Sequence, residues 1–408
     1  MKLTFPWSKK ATSTSSVSYT TIEASSDLAK LTTKSSRAGV TVSHKTALQA
    51  SVSFACARVI ANGIAQIPLK VFQTRDGGGA DPVMDHGLYT VLHDSPNPIQ
   101  TSFEWREMTA MHLVFAGNAY SMITRDRFNN ITELMPLLPS DVKVEKVGHE
   151  IKYKMSRGGE QFPIPANEIL HLRGVSWNGF EGLDGVNLAR EAIGLALATE
   201  EHGARGFSNG ATIPGILTTE QNLNEEQINA IRESFAAAQA GLDNAWSVMV
   251  THGGLKYNQT AVTNDQAQFM ETRKFQIEEV CRHFGVLPIM VGATDKVATY
   301  ASAGQMFLAH LVHTMAPWYA RLEQSFNLNL LTKEDRASGI YTKFIDAGIL
   351  RGSHADRAAY YKTMSDIGAM NPNEIRARED MNPYAGGEEY RIPMNTEQPG
   401  ATDGTQEL

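Results

Sequence analysis

The chain lacks most of what would mark a secreted protein, a catalyst or a charge-driven nucleic-acid binder. It has two cysteines in 408 residues, Cys56 and Cys281. Each lies in an apolar periodic stretch, so buried free thiols are expected rather than a disulfide framework. No uninterrupted apolar run approaches the roughly 18 residues a membrane helix needs. Lys2, Lys9 and Lys10 are not followed by an apolar segment, so the first residues do not read as a secretory signal. The expected class is soluble and intracellular. Positive charge is not in surplus: 37 Lys and Arg face 44 Asp and Glu, a net charge of −7. Proteins that grip nucleic acid by charge usually present a basic surface. Such a balance still permits a protein that only lets nucleic acid pass.

Catalytic motifs are missing too. There is no Gly-Lys dipeptide, which excludes a Walker A phosphate loop. Gly77-Gly78-Gly79 lacks the spacing of a dinucleotide fingerprint and reads as a surface turn. Tyr300-Ala301-Ser302-Ala303-Gly304 imitates a nucleophile elbow, with Tyr where the first Gly belongs. His310 and His313 share a helical face, but no carboxylate or cysteine joins them, so they read as structural. His149-Glu150 has no second His to complete a zinc motif. Glu200-Glu201 and Glu278-Glu279 are adjacent, and neighbours on a helix do not share a face. No enzyme activity, metal or cofactor is expected.

What is present is a globular α+β chain. Apolar residues make up 42% and charged residues 20%, and the length suggests two to four folding units. Residues 1–40 are dominated by Ser and Thr and should form a mobile arm; 394–408 should form a mobile tail. Helical spacing runs over 48–67 and stops at Pro68, followed by a strand at 69–73. A short helix is expected at 86–93. Thr101 and Glu104 have capping-box spacing for a helix ending near Gly117. Short strands are expected at 119–124, 131–138, 142–147, 151–155 and 169–172, in a mostly antiparallel region packed on the earlier helices.

Helices then return. One is expected at 186–207, stopped by Asn209-Gly210. A small mixed module, 211–263, holds a helix at 225–240 with Ile228, Ile231 and Phe235 as its inner stripe. Asn224 and Gln227 have capping-box spacing there. Asn264 can cap a second long helix, with a stripe of Met270, Ile277, Val280, Cys281 and Phe284. After a loop, a helix over 301–330 would span roughly 45 Å, with a kink before Pro317. Short helices capped by Ser353 and by Asn371-Pro372 close the chain.

This order, with its short landmarks, resembles the portal (head–tail connector) family of long-tailed bacteriophages from about Leu48 to Pro393. The landmarks include Ser51-Val52-Ser53-Phe54-Ala55-Cys56-Ala57-Arg58, Ile67-Pro68-Leu69, Pro96-Asn97-Pro98 and Gly117-Asn118-Ala119-Tyr120. Further on come Pro139-Ser140-Asp141-Val142, Glu168-Ile169-Leu170-His171, Glu271-Thr272-Arg273-Lys274-Phe275, Met315-Ala316-Pro317-Trp318 and Asn371-Pro372-Asn373-Glu374. Each is short; their order is specific.

The resemblance implies a portal fold: an α/β wing at 41–184 and stem helices at 185–209 and 264–285. It also implies a clip at 210–263, a tunnel loop at 286–300, a long kinked helix at 301–331 at wing level, and a helical crown at 332–393. It implies a structural ring, typically of twelve subunits, at one capsid vertex of a virion assembled in the bacterial host cytoplasm. Double-stranded DNA passes through it without sequence readout. The implied partners are the terminase large subunit, the major capsid protein and scaffold, and a head–tail adaptor, with no membrane. Thr294, Asp295, Lys296, Val297 and Thr299 would form the tunnel loop, with Lys296 either facing DNA or paired with Asp295. Gln221, Glu225, Glu226, Asp243 and Asn244 are candidate clip contacts, or an ordinary solvated face. A different head-completion or adaptor ring remains the alternative, although adaptors are usually much shorter.

Overall fold

The computed structural model describes residues 35–148, 150–208, 215–219, 223–239, 256–259, 265–293, 300–345, 354–379 and 381–391. The chain divides into two compact units, one ending at Lys343 and the other beginning at Phe344.

The first helical stretch is two helices rather than one. In α1 (His44–Gln49), Ser43 and Thr46 form a capping box. The chain then turns extended at Ala50 (φ −68°, ψ 112°) and restarts as α2 (Ser51–Ala65). Cys56, Ala57, Ile60, Ala61, Ile64 and Ala65 make its buried face. Pro68 prevents continuation, because the residue before a proline disfavours helical backbone, and β1 (Leu69–Thr74) follows. It pairs antiparallel with β2 (Ala80–Pro82) across the Gly77–Gly79 turn. All three of those glycines have positive φ, as a surface turn of this kind requires.

Next come α3 (Gly87–His93) and α4 (Ser102–Ala116). The expected capping box of α4 is present: the Glu104 N–H donates to Thr101 Oγ1 at 3.3 Å, and the Thr101 N–H to Glu104 Oε2 at 2.8 Å. Gly117 ends the helix with φ 71°. A Cβ there would overlap the Leu183 carbonyl, so close backbone approach adds to the demand for glycine. Arg106 is buried and donates to the carbonyls of Ser102 and Ile67, tying the end of α2 to α4. Trp105 is fully buried, and its Nε1–H donates to Ser121 Oγ at 3.2 Å.

The β region contains two three-stranded antiparallel sheets. One has the order β4-β3-β8, from β3 (Asn118–Arg125), β4 (Ile131–Leu137) and β8 (Ile169–Arg173). The other has the order β5-β6-β7, from β5 (Val142–Val147), β6 (Glu150–Arg157) and β7 (Glu160–Ile164). They share an apolar cluster of Tyr120, Val142, Val144, Tyr153, Ile164 and Ile169. A polar network crosses it. Tyr153 Oη lies 3.2 Å from His171 Nδ1, and His171 Nε2 lies 2.9 Å from Asn118 Oδ1. Asn118 Oδ1 also accepts from the Gly182 N–H at 2.7 Å, which pins the 174–183 loop to the sheet.

Beyond the sheets, α5 (Gly185–Leu188) and α6 (Arg190–Ser208) replace the single helix expected there. The module that follows contains β9 (Gly215–Thr218), α7 (Glu225–Gln239) and β10 (Lys256–Gln259). Its strands pair antiparallel, Lys256 opposite Thr218 and Gln259 opposite Gly215. The long α8 (Asp265–Phe284) then packs on α2 and α6.

The kink expected before Pro317 takes a particular form. Between α9 (Tyr300–His310) and α10 (Ala316–Asn329) lies a π turn, Leu311–Met315. Proline has no N–H and clashes with the carbonyl four residues back. A widened turn directly before it removes that conflict without breaking the helix. The face of α10 that bears Tyr319, Leu322 and Phe326 is buried, with Phe326 against Trp105 at 6.2 Å between ring centroids. After α11 (Lys333–Ala337), β11 (Ile340–Phe344) joins the sheet of β1 and β2 in the order β11-β1-β2.

The second unit contains α12 (His354–Asp366) and α13 (Pro372–Arg378). Asn371 is the expected cap with Pro372 in the first turn, and it forms a capping box with Glu374; the Tyr361 hydroxyl donates to Glu379 Oε1 at 2.8 Å. The other cap expected there, Ser353, lies outside the described residues, as does Asn264 ahead of α8.

Candidate functional site

The elements from α6 to α9 carry the expected function. α6 and α8 pack on each other, and α8 buries Gln276, Val280 and Cys281. Cys281 Sγ lies 3.7 Å from Cys56 Sγ, both thiols are fully buried, and both are free. The hydrogen bond to Cys281 and burial push the Cys56 thiol above its ordinary value. That makes it a poor nucleophile, as thiolate chemistry requires the deprotonated form.

The loop after α8 is anchored at its root. Val286 is buried, and its N–H donates to the Cys281 carbonyl at 2.9 Å. His283 Nε2 lies 3.0 Å from the Gly185 carbonyl oxygen, and Thr314 Oγ1 donates to the Gly285 carbonyl at 2.6 Å. One strap thus joins the end of α8 to the start of α5 and to the π turn. A 3₁₀ turn, Pro288–Val291, leads to Gly292. A cavity of about 230 Å³ opens beside it, with Glu200, Arg273 and Gln276 in its wall. Thr294, Asp295, Lys296, Val297 and Thr299 lie outside the described residues.

In the module, Asn224 and Gln227 cap α7 reciprocally: the Gln227 N–H donates to Asn224 Oδ1 at 2.8 Å, and the Asn224 N–H to Gln227 Oε1 at 3.0 Å. Glu225 and Glu226 are exposed in its first turn, where carboxylates complement the helix dipole. Ile228, expected on an inner stripe, is 44% exposed. Periodicity alone marks an apolar face, not what covers it. Gln221, Asp243 and Asn244 lie outside the described residues.

The other sequence motifs separate. Ser302 lies inside α9, not at a strand-to-helix elbow. His310 is half-buried with an unpartnered Nδ1, and burial lowers its pKa, whereas His313 is exposed. His149 lies outside the described residues. Glu279 pairs with Arg282 one turn on. Among the described residues no three His, Cys, Asp or Glu side chains are grouped to hold a metal ion. No helix among them is long and apolar enough to cross a membrane.

Comparison with solved structures gives the class first. The chain resembles an HK97-family phage portal protein from Corynebacterium diphtheriae at a TM-score of 0.56 and 19% identity, covering 75% of this chain and 96% of that one. A chain from the neck of a native gene transfer agent particle, computed with C12 symmetry, matches at a TM-score of 0.53 and 20% identity. That match covers 82% of this chain and 91% of the other. The fold is therefore the mixed helix-and-strand fold of portal proteins.

Sequence comparison takes the second step. The family described as phage portal protein matches residues 51–380. The portal protein of Enterobacteria phage HK97 is 33% identical over 346 residues, covering 84% of this chain and 81% of the relative. The chain belongs to the phage portal protein family.

Proposed function

We propose that copies of this chain close into a ring, typically of twelve, at one vertex of a capsid and conduct double-stranded DNA. The observation that carries the reading is the order of parts: two packed helices, α6 and α8, bracket a small module and lead into a loop and a long π-turned helix. In this reading 41–184 is the wing, 185–209 and 264–285 the stem and 210–263 the clip. The tunnel loop is 286–300, the long helix 301–331 and the crown 332–393.

Twelve helices side by side at about 8–10 Å give a circumference of about 96–120 Å. Less the helix radius, the bore is roughly 20–28 Å, enough for a duplex. Lys296 faces that bore and steadies phosphates without reading bases. Glu225, Glu226 and their neighbours meet the terminase large subunit during packaging and an adaptor afterwards. Major capsid protein and scaffold surround the ring during assembly. The ring catalyses nothing; ATP hydrolysis belongs to the terminase.

Electron microscopy of the purified chain tests the reading. A closed ring with a central hole is expected, and a lasting monomer under assembly conditions refutes it.

A further inference from the structure

A cleft of about 500 Å³ opens between the end of β8, the loop that follows it and α10. Two arginines reach it, Arg173 from the strand and Arg321 from the helix. Ser176 and Gln324 are among its uncharged polar lining, and no carboxylate among the described residues lines it. Arg173 donates to the Gly179 carbonyl at 2.6 Å. Arg321 donates to the Gly174 carbonyl and lies 5.7 Å above the Trp318 ring. These contacts brace both side chains in place. A guanidinium has five N–H donors in a fixed fork, so each retains donors for an incoming carboxylate.

Glu181 is the one acid of the 174–183 loop. It is half-buried and is not among the residues that line the cleft. Among the described residues the cleft wall thus holds two guanidiniums and no acid. Beside it Trp177 is 80% exposed, and Leu328 on its wall is 61% exposed. Tryptophan and arginine together are the usual anchors of protein interfaces.

We propose that this cleft receives an acidic segment of a second copy of the chain, with Trp177 and Leu328 covered by the apolar residues that flank that segment. The inference rests on the ring reading and names one of its subunit contacts. Charge supports the occupant, since the chain carries 44 Asp and Glu against 37 Lys and Arg. The apolar rim argues against DNA, whose phosphate backbone offers nothing to cover an indole.

Two measurements on the full chain test this. In Trp177→Ser the loop keeps all its backbone and arginine bonds, so circular dichroism should match wild type. The concentration needed for ring formation should rise about tenfold or more, the effect of losing an interface anchor. Arg321→Glu should raise it at least as far. Unchanged assembly of folded Trp177→Ser overturns the proposal. The second measurement is photo-crosslinking of assembled rings carrying Trp177→p-benzoylphenylalanine, with DNA present. Capture of a second copy at a peptide containing Asp or Glu supports the proposal. Capture of DNA alone, of a peptide without an acid, or of nothing overturns it. Wild-type chain that never assembles overturns the ring reading itself, and this contact with it.

Discussion

His171 offers a quantitative test of how the two sheets are held together. It is 5% exposed, stacks on Tyr120 at 4.5 Å between ring centroids, and is bonded through both ring nitrogens. Burial, with the nearby Arg173 charge, depresses its pKa from 6.5 to about 3. The folded state therefore resists a proton that the unfolded chain accepts below about pH 6.5. Stability from this group is full above that pH and falls as pH drops toward 3. At pH 5 the loss is about 2 kcal/mol.

In His171→Gln the side chain has no charge to gain, so this slope disappears. The variant is less stable at pH 7.5, having lost the ring stack. Native-state hydrogen exchange on β3 and β8 amides, corrected for intrinsic rates, reads the local opening free energy at pH 7.5 and pH 5. The gap between wild type and variant should shrink by about 2 kcal/mol on acidification, roughly thirtyfold in protection. Groups elsewhere titrate alike in both proteins and cancel. A gap that stays constant within about 0.5 kcal/mol refutes the account of a neutral, buried imidazole.

Four further outcomes are expected. Lys296→Ala should lower DNA packaging or retention while rings still form, and wild-type packaging would sink its channel role. Thr101→Ala removes the N-cap of α4 and should cost about 1 kcal/mol in denaturant titration; no change would mean the box is ornamental. Gly117→Ala adds strain at φ 71° to a collision with the Leu183 carbonyl, so soluble yield or melting temperature should fall sharply, and wild-type stability would contradict that geometry. A thiol reagent should label neither Cys56 nor Cys281 quickly in the folded chain and both on denaturation, and fast labelling of the native protein would show their burial is wrong.

Local chemistry made some elements legible and left others hidden. The Thr101/Glu104 pair locates α4 because a capping box is complete within four residues, and Asn371 followed by Pro372 locates α13 because both favour a helix start. The break at Ala50 had no such signal; helical spacing continues through it while the backbone does not. β7 is hidden in the sequence because Glu160–Ile164 has one buried residue and a proline, so it shows no alternation. β11 alternates only over its last three residues, and its partner β1 lies some 270 residues earlier, a pairing no local pattern announces. Long-range placement also hid the arginine cleft. Arg173 and Arg321 are unremarkable alone and become a feature only where a strand end meets a helix. The portal assignment came through because landmark order survives when single motifs are weak.

The π turn at Leu311–Met315 also acts as a change of rotational phase. An α-helix advances about 100° per residue, so one extra residue in a turn offsets everything before it by that angle. On α10 the buried positions Tyr319, Leu322 and Phe326 lead back to Met315. A regular helix would next bring Leu311 or Val312, and then Leu308, to that face. Val312 and Leu308 are instead 52% and 51% exposed, and it is His310, five residues before Met315, that turns a nitrogen inward. One continuous helix thus presents its core-facing side in one direction below the turn and frees a different, apolar side above it. Deleting a single residue between 311 and 315 would realign the two and swing Met306, Phe307 and Leu308 about 100° around the axis. The chain would keep its composition and length almost unchanged, and lose the separation between the surface that folds the subunit and the surface α9 offers outward.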